Sequence, residues 1–140
     1  GRTTRTTQNL LKGKIGYMAP ERLEFRGGGV PSDLWSLGVV IFETLTEHRL
    51  YSGGDAPRRI LHDPPPDLRE SMPDAPPALV ELSMQLLSKD PAARPPSASF
   101  VAKRLDQLLA EMTPEDFVLA VDFVEELVPE RPSIAFGQTP

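Results

Sequence analysis

The chain contains no cysteine, two histidines and one tryptophan in 140 residues, and only 6% of its residues are aromatic. Without cysteine it has no disulfide scaffold, no iron–sulfur site and no thiolate zinc site, although its compartment stays open. His48 and His62 stand alone, with neither metal-ligand spacing nor a nucleophile motif, and read as surface residues. Long apolar runs are also missing. The longest, Leu37 to Phe42, is six residues counting Gly38, far short of the roughly 20 that a membrane helix needs. No signal peptide opens the chain, which starts at Gly1 without an initiator methionine; a preceding portion is expected to be removed or missing.

What is present fits a packed domain. Apolar residues make up 39% of the chain, enough for a core and too many for a disordered segment. Proline, at 16 residues, is about twice its usual share of roughly 5%. Periodicity predicts five helices and no convincing strand, hence a mainly α fold. The first spans about 32–47, with Pro31 before it and Ser32 as its cap. Trp35, Leu37, Val39, Val40, Ile41, Phe42 and Leu45 leave no side of it without an apolar residue, the pattern of a buried central helix. Further helices are expected at about 55–62, 78–88, 99–112 and 115–128. Pro64-Pro65-Pro66, Pro76-Pro77 and Pro114 fall at or between these boundaries, so the proline excess reads as punctuation between helices.

Charge is unevenly distributed. Residues 1–26 carry six basic side chains against Glu21 and Glu24, a net of +4, while the other 114 residues carry nine basic and eighteen acidic, a net of −9. Thr3, Thr4, Thr6 and Thr7 crowd the basic head. The head has no aromatic residue before Tyr17 and the remainder is acidic, so nucleic acid is not an expected partner. Residues 111–130 hold seven acidic and no basic groups. The helix expected there has Phe117, Val121, Val124 and Val128 on one side, which reads as packing against its own domain.

Three segments carry a family resemblance: Gly16-Tyr17-Met18-Ala19-Pro20-Glu21, Ser32-Asp33-Leu34-Trp35-Ser36-Leu37-Gly38, and Lys89-Asp90-Pro91-Ala92-Ala93-Arg94-Pro95. In this order, with Asp33 12 positions after Glu21 and Arg94 61 after Asp33, they resemble the Ala-Pro-Glu, central-helix Asp and late arginine motifs of eukaryotic-type protein kinases. Within that family the chain looks most similar to bacterial serine/threonine kinases. The resemblance implies the helical C-terminal lobe of a kinase fold, truncated. A partial kinase domain is expected at 1–110, with the activation segment at 1–24 and the helical lobe at 31–110, followed by an acidic helix and tail at 111–140. It also implies a buried ion pair between Glu21 and Arg94, and a scaffolding role for Asp33 beneath the catalytic loop. Lys14, Gly16 and Tyr17 would line the substrate pocket, and Thr3, Thr4, Thr6 and Thr7 become candidate phosphorylation sites. Lys14 departs from the family, which usually has threonine there after the glycine.

Phosphoryl transfer by a kinase needs a glycine-rich loop, a strand lysine with its helix glutamate, a His-Arg-Asp loop with asparagine, and an Asp-Phe-Gly aspartate. None is in this sequence, so no catalytic, cofactor-binding or metal-binding residue is assigned. Gly27-Gly28-Gly29 has no strand before it and no lysine at the right offset, and reads as a turn. The resemblance therefore implies a parent kinase that uses ATP and Mg2+ on protein substrates. The chain alone is expected to bind neither and to be inactive, its partner being the missing N-terminal part of the domain. The alternative is a non-catalytic, pseudokinase-derived helical binding module, favoured by Lys14 and the acidic terminal helix. Cytoplasmic placement follows from the need for ATP, with no membrane segment in the chain.

Overall fold

The computed structural model describes residues 14–111, and all its regular elements are helical. They are α1 (Pro20–Leu23), α2 (Val30–Thr46), α3 (Ala56–His62), α4 (Leu68–Ser71), α5 (Pro77–Leu86), a 3-10 turn at Pro91–Ala93, and α6 (Ala98–Glu111). The helix expected at 115–128 and the four candidate threonines lie outside the described residues. The described residues up to Asp106 belong to one compact unit, and 107–111, the end of α6, to a second.

α2 organises the larger unit. It starts two residues earlier than the Pro31-Ser32 pattern predicts, because the glycine turn already supplies the entry. Gly29 sits at φ +132 in the N-cap position, a conformation open to glycine and strained for other residues. Pro31 then occupies the first turn, where its missing N–H is no loss. Ser32 is consequently not a cap: it lies inside the first turn and is buried. The helix ends on Glu47 in the left-handed region at φ 58, with the Glu47 N–H donating to the Glu43 carbonyl.

Two apolar clusters flank this helix. Trp35, Val39 and Phe42 join Leu50, Tyr51, Ile60, Leu68, Val80 and Leu87 in one. Leu34 joins Leu82, Leu86 and Val101 in the other, with Leu37, Ile41 and Leu105 against it. That division explains the all-round apolar pattern, since each cluster takes a different side. Full burial of each large side chain stabilises by about 1.5–3 kcal/mol before entropy is counted. One stripe departs from the expectation of complete burial: Asp33, Val40 and Thr44 are exposed among the described residues.

The connections set the remaining geometry. Pro76-Pro77 opens α5, whose Val80, Leu82 and Leu86 reach the two clusters. Asp67 caps α4 by accepting the Arg69 N–H, and Asp90 caps the 3-10 turn by accepting from Ala92. Ser97 accepts the Phe100 N–H at the start of α6, and Val101 is that helix's buried residue. Among the described residues no helix is long and apolar enough to cross a membrane.

Candidate functional site

Among the described residues, three of the five buried polar side chains, Glu21, Ser32 and Arg94, meet at one short segment, residues 14–24. Lys14 is exposed and Gly16 buried, and the Lys14 carbonyl accepts the Tyr17 N–H at 3.1 Å in a tight turn. Pro20 then starts α1 with its fixed φ and places Glu21 in the first turn, where a carboxylate is favoured. A four-residue helix has little stability of its own, so this segment depends on what holds it to the rest of the lobe.

Two anchors do so. At the first, the Tyr17 hydroxyl donates to Glu43 at 2.5 Å, and Ser36 donates its hydroxyl to the Tyr17 carbonyl at 2.6 Å. Glu43 also accepts the Leu50 N–H at 2.9 Å, so one carboxylate joins the segment, α2 and the loop after it. The hydrogen bond to Glu43, with burial, raises the Tyr17 pKa above its ordinary value.

The second anchor is ionic. Arg94 Nη1 and Nη2 meet the two oxygens of Glu21 at 2.7 and 2.9 Å, a bidentate pair across 73 residues. The Arg94 side chain has no solvent exposure and that of Glu21 only 9%. Ser32 donates to Glu21 Oε1 at 2.7 Å, while Arg94 also donates to the Ser88 and Pro31 carbonyls. Burial pushes the Glu21 carboxyl up, but the hydrogen bonds from Arg94 and Ser32 outweigh it and hold the pKa down at about 2. The Arg94 guanidinium lies 5.3 Å from the centre of the Trp35 ring, adding a cation–π contact.

The structure thus brings Gly16, Tyr17, Glu21 and Arg94 into one assembly, with Lys14 at its exposed edge. Asp33 is not part of it: its carboxylate is exposed and makes no hydrogen bond among the described residues. Ser32, Ser36 and Glu43 carry the anchors and were absent from the sequence-derived site. Their signal is a polar i, i+4, i+11 stripe on a mainly apolar helix, which marks one face. The described residues offer no group of three or more His, Asp or Glu able to hold a metal ion. Gly27 and Gly29 face open space and run into a helix carrying proline in its first turn.

Comparison with known proteins gives a match to the protein kinase domain over residues 2–105. The chain is 30% identical to the tyrosine-protein kinase MasK of Myxococcus xanthus over 113 residues, covering 79% of this chain and 18% of that protein. It is 34% identical to the serine/threonine-protein kinase PknK of Mycobacterium tuberculosis over 107 residues, covering 71% of this chain and 9% of that protein. It is 35% identical to the cytokinesis protein sepH of Aspergillus terreus over 96 residues, covering 66% of this chain and 7% of that protein. The chain therefore spans less than a fifth of the length of each of these relatives. The match over residues 2–105 takes in both anchors and the helices that carry them, and the chain belongs to the protein kinase family.

Proposed function

We propose that the chain is the C-terminal lobe of a bacterial serine/threonine kinase that transfers the γ-phosphate of ATP to protein hydroxyls. The observation that carries this reading is the buried Glu21–Arg94 pair, which ties the end of the Ala-Pro-Glu segment to the helical base. In this reading residues 1–24 are the activation segment, and phosphate on Thr3, Thr4, Thr6 or Thr7 would order it by pairing with arginines. Gly16 and Tyr17 then seat the substrate backbone, and Lys14 lies beside the incoming hydroxyl. Asp33 and the open stripe through Val40 and Thr44 form the face that the catalytic loop covers. ATP and Mg2+ are bound by residues of the parent protein outside this chain, which places it in the cytoplasm.

The two bacterial relatives named above carry different specificities in their names, serine/threonine and tyrosine. Phosphoamino-acid analysis of the parent protein after incubation with radiolabelled ATP decides between them. Phosphoserine or phosphothreonine is expected, and phosphotyrosine alone would overturn the specificity. In calorimetry the 140-residue chain is expected to show no micromolar binding of Mg-ATP; such binding would overturn the assignment of the nucleotide site. Lys14, in place of the family's usual threonine, supports a second reading as a non-catalytic binding module. A parent protein that transfers no phosphate while keeping its fold would favour that reading.

A further inference from the structure

Lys89 has no share in either anchor, yet it occupies the ground between one of them and α3. Its ammonium donates to the Arg59 carbonyl at 3.3 Å and to the Ile60 carbonyl, both in the last turn of α3. The same ammonium lies 5.2 Å from the Trp35 ring centre and 5.8 Å from that of Tyr51. These rings stack on each other, 6.1 Å apart and 14° from parallel. Arg94 lies over Trp35, and Arg59 over Tyr51 at 5.6 Å. Three cations and two rings therefore run continuously from the partner of Glu21 to α3.

The charge matters here more than the bulk. Ile60 is fully buried, so its carbonyl has no ready water partner if Lys89 is lost, and an unpaired buried carbonyl is costly. Lysine near a helix C-terminus commonly caps such carbonyls, and an aromatic face favours a cation that has shed water. Burial lowers the Lys89 pKa below the ordinary lysine value, with Asp63 opposing, as expected for an ammonium held in such a slot. Arg59 adds a parallel tie by donating to the Leu50 carbonyl at 3.2 Å, beside the Leu50 N–H that Glu43 holds.

We propose that Lys89 is the positioning residue that fixes α3 to the Glu21–Arg94 anchor through its positive charge. On the kinase reading above, on which this consequence rests, the activation segment seats the substrate, and Lys89 sets the placement of α3 against the anchor that holds that segment. Amide hydrogen exchange on the 140-residue chain tests the role without any phosphotransfer, so its failure is separate from failure of the kinase reading. Lys89→Met keeps the length and removes the charge. It is expected to speed exchange of the α3 amides at least about tenfold beyond any change in α2 and α5, as local opening would. Lys89→Arg, which restores a cation, is expected to return α3 to within about threefold of the wild type. An equal rise across α2, α3 and α5, or no rise in α3, would overturn the proposal. Should Lys89→Met not fold, Lys89→Gln removes the charge while keeping a hydrogen-bond donor and is expected to speed α3 exchange in the same selective way; unchanged α3 exchange in it would overturn the proposal.

Discussion

The Arg94 side chain makes four hydrogen bonds inside the protein, two to Glu21 and one each to the Ser88 and Pro31 carbonyls. With five N–H donors in a planar fork, it is nearly saturated, and Trp35 covers its face. Such a residue is costly to remove from either side. Arg94→Ala strands the Glu21 carboxylate, and Glu21→Ala strands a buried guanidinium; each change is expected to cost about 3–5 kcal/mol. Because both delete the same pair, the double variant is expected to lose less than the sum, with a coupling of about 0.5–3 kcal/mol. Urea denaturation of the four proteins measures this, and plain additivity would show the pair to be energetically idle. Arg94→Lys keeps the charge but not the fork or the ring contact, so it belongs between wild type and alanine.

At the scale of elements, α2 and α5 approach through Gly38. A Cβ built there would meet the Leu86 Cβ at 2.7 Å and Leu87 Cδ2 at 3.3 Å, and the first of these has no free end that could swing aside. Alanine is the better helix former by about 1 kcal/mol, yet Gly38→Ala is expected to destabilise by a net ~1–3 kcal/mol through overpacking. A gain in stability on thermal melting would mean that the helices part freely. The sequence made α2 legible because its apolar residues serve two clusters at once, and α6 because Val101 and Leu105 fall on one stripe. Its start was misplaced because Pro31-Ser32 looks like a cap while Gly29 does the work of entry. α1 and α4, at four residues each, are too short to show a period. The Glu21–Arg94 pair was reached through resemblance, since nothing local links residues 73 positions apart. The roles of Glu43 and Lys89 are not legible in the sequence, because a polar tip on a half-buried side chain acquires its partners only from tertiary packing.

For the molecule as a whole, two buried acids bound the pH range of full stability. Glu21 has an ordinary pKa of 4.5 that the fold lowers to about 2. A depressed carboxyl stabilises fully above its unfolded pKa, and that contribution disappears as pH falls from about 4.5 toward 2. It amounts to about 3 kcal/mol at 1.36 kcal/mol per pKa unit. Tyr51 works from the other end, since burial raises its pKa from 10.0 to about 12. A raised phenol stabilises fully below about pH 10 and ceases to do so as pH climbs toward 12. Tyr17, raised chiefly by its hydrogen bond to Glu43, adds in the same direction. Denaturation curves collected from pH 2 to 12 are therefore expected to show a plateau with two falling limbs. Glu21→Gln is expected to be less stable than wild type at pH 7, with the gap narrowing by about 3 kcal/mol as pH drops to 2. Tyr51→Phe is expected to leave the acid limb intact and make the alkaline one shallower, because its ring stays and its ionisable hydroxyl goes while Tyr17 still titrates. If Glu21→Gln instead runs parallel to wild type down the acid limb, Glu21 is not the group whose protonation loosens this lobe. The buried pair would then have to stay closed with the carboxyl protonated, contrary to the charge-assisted geometry that Arg94 makes with it.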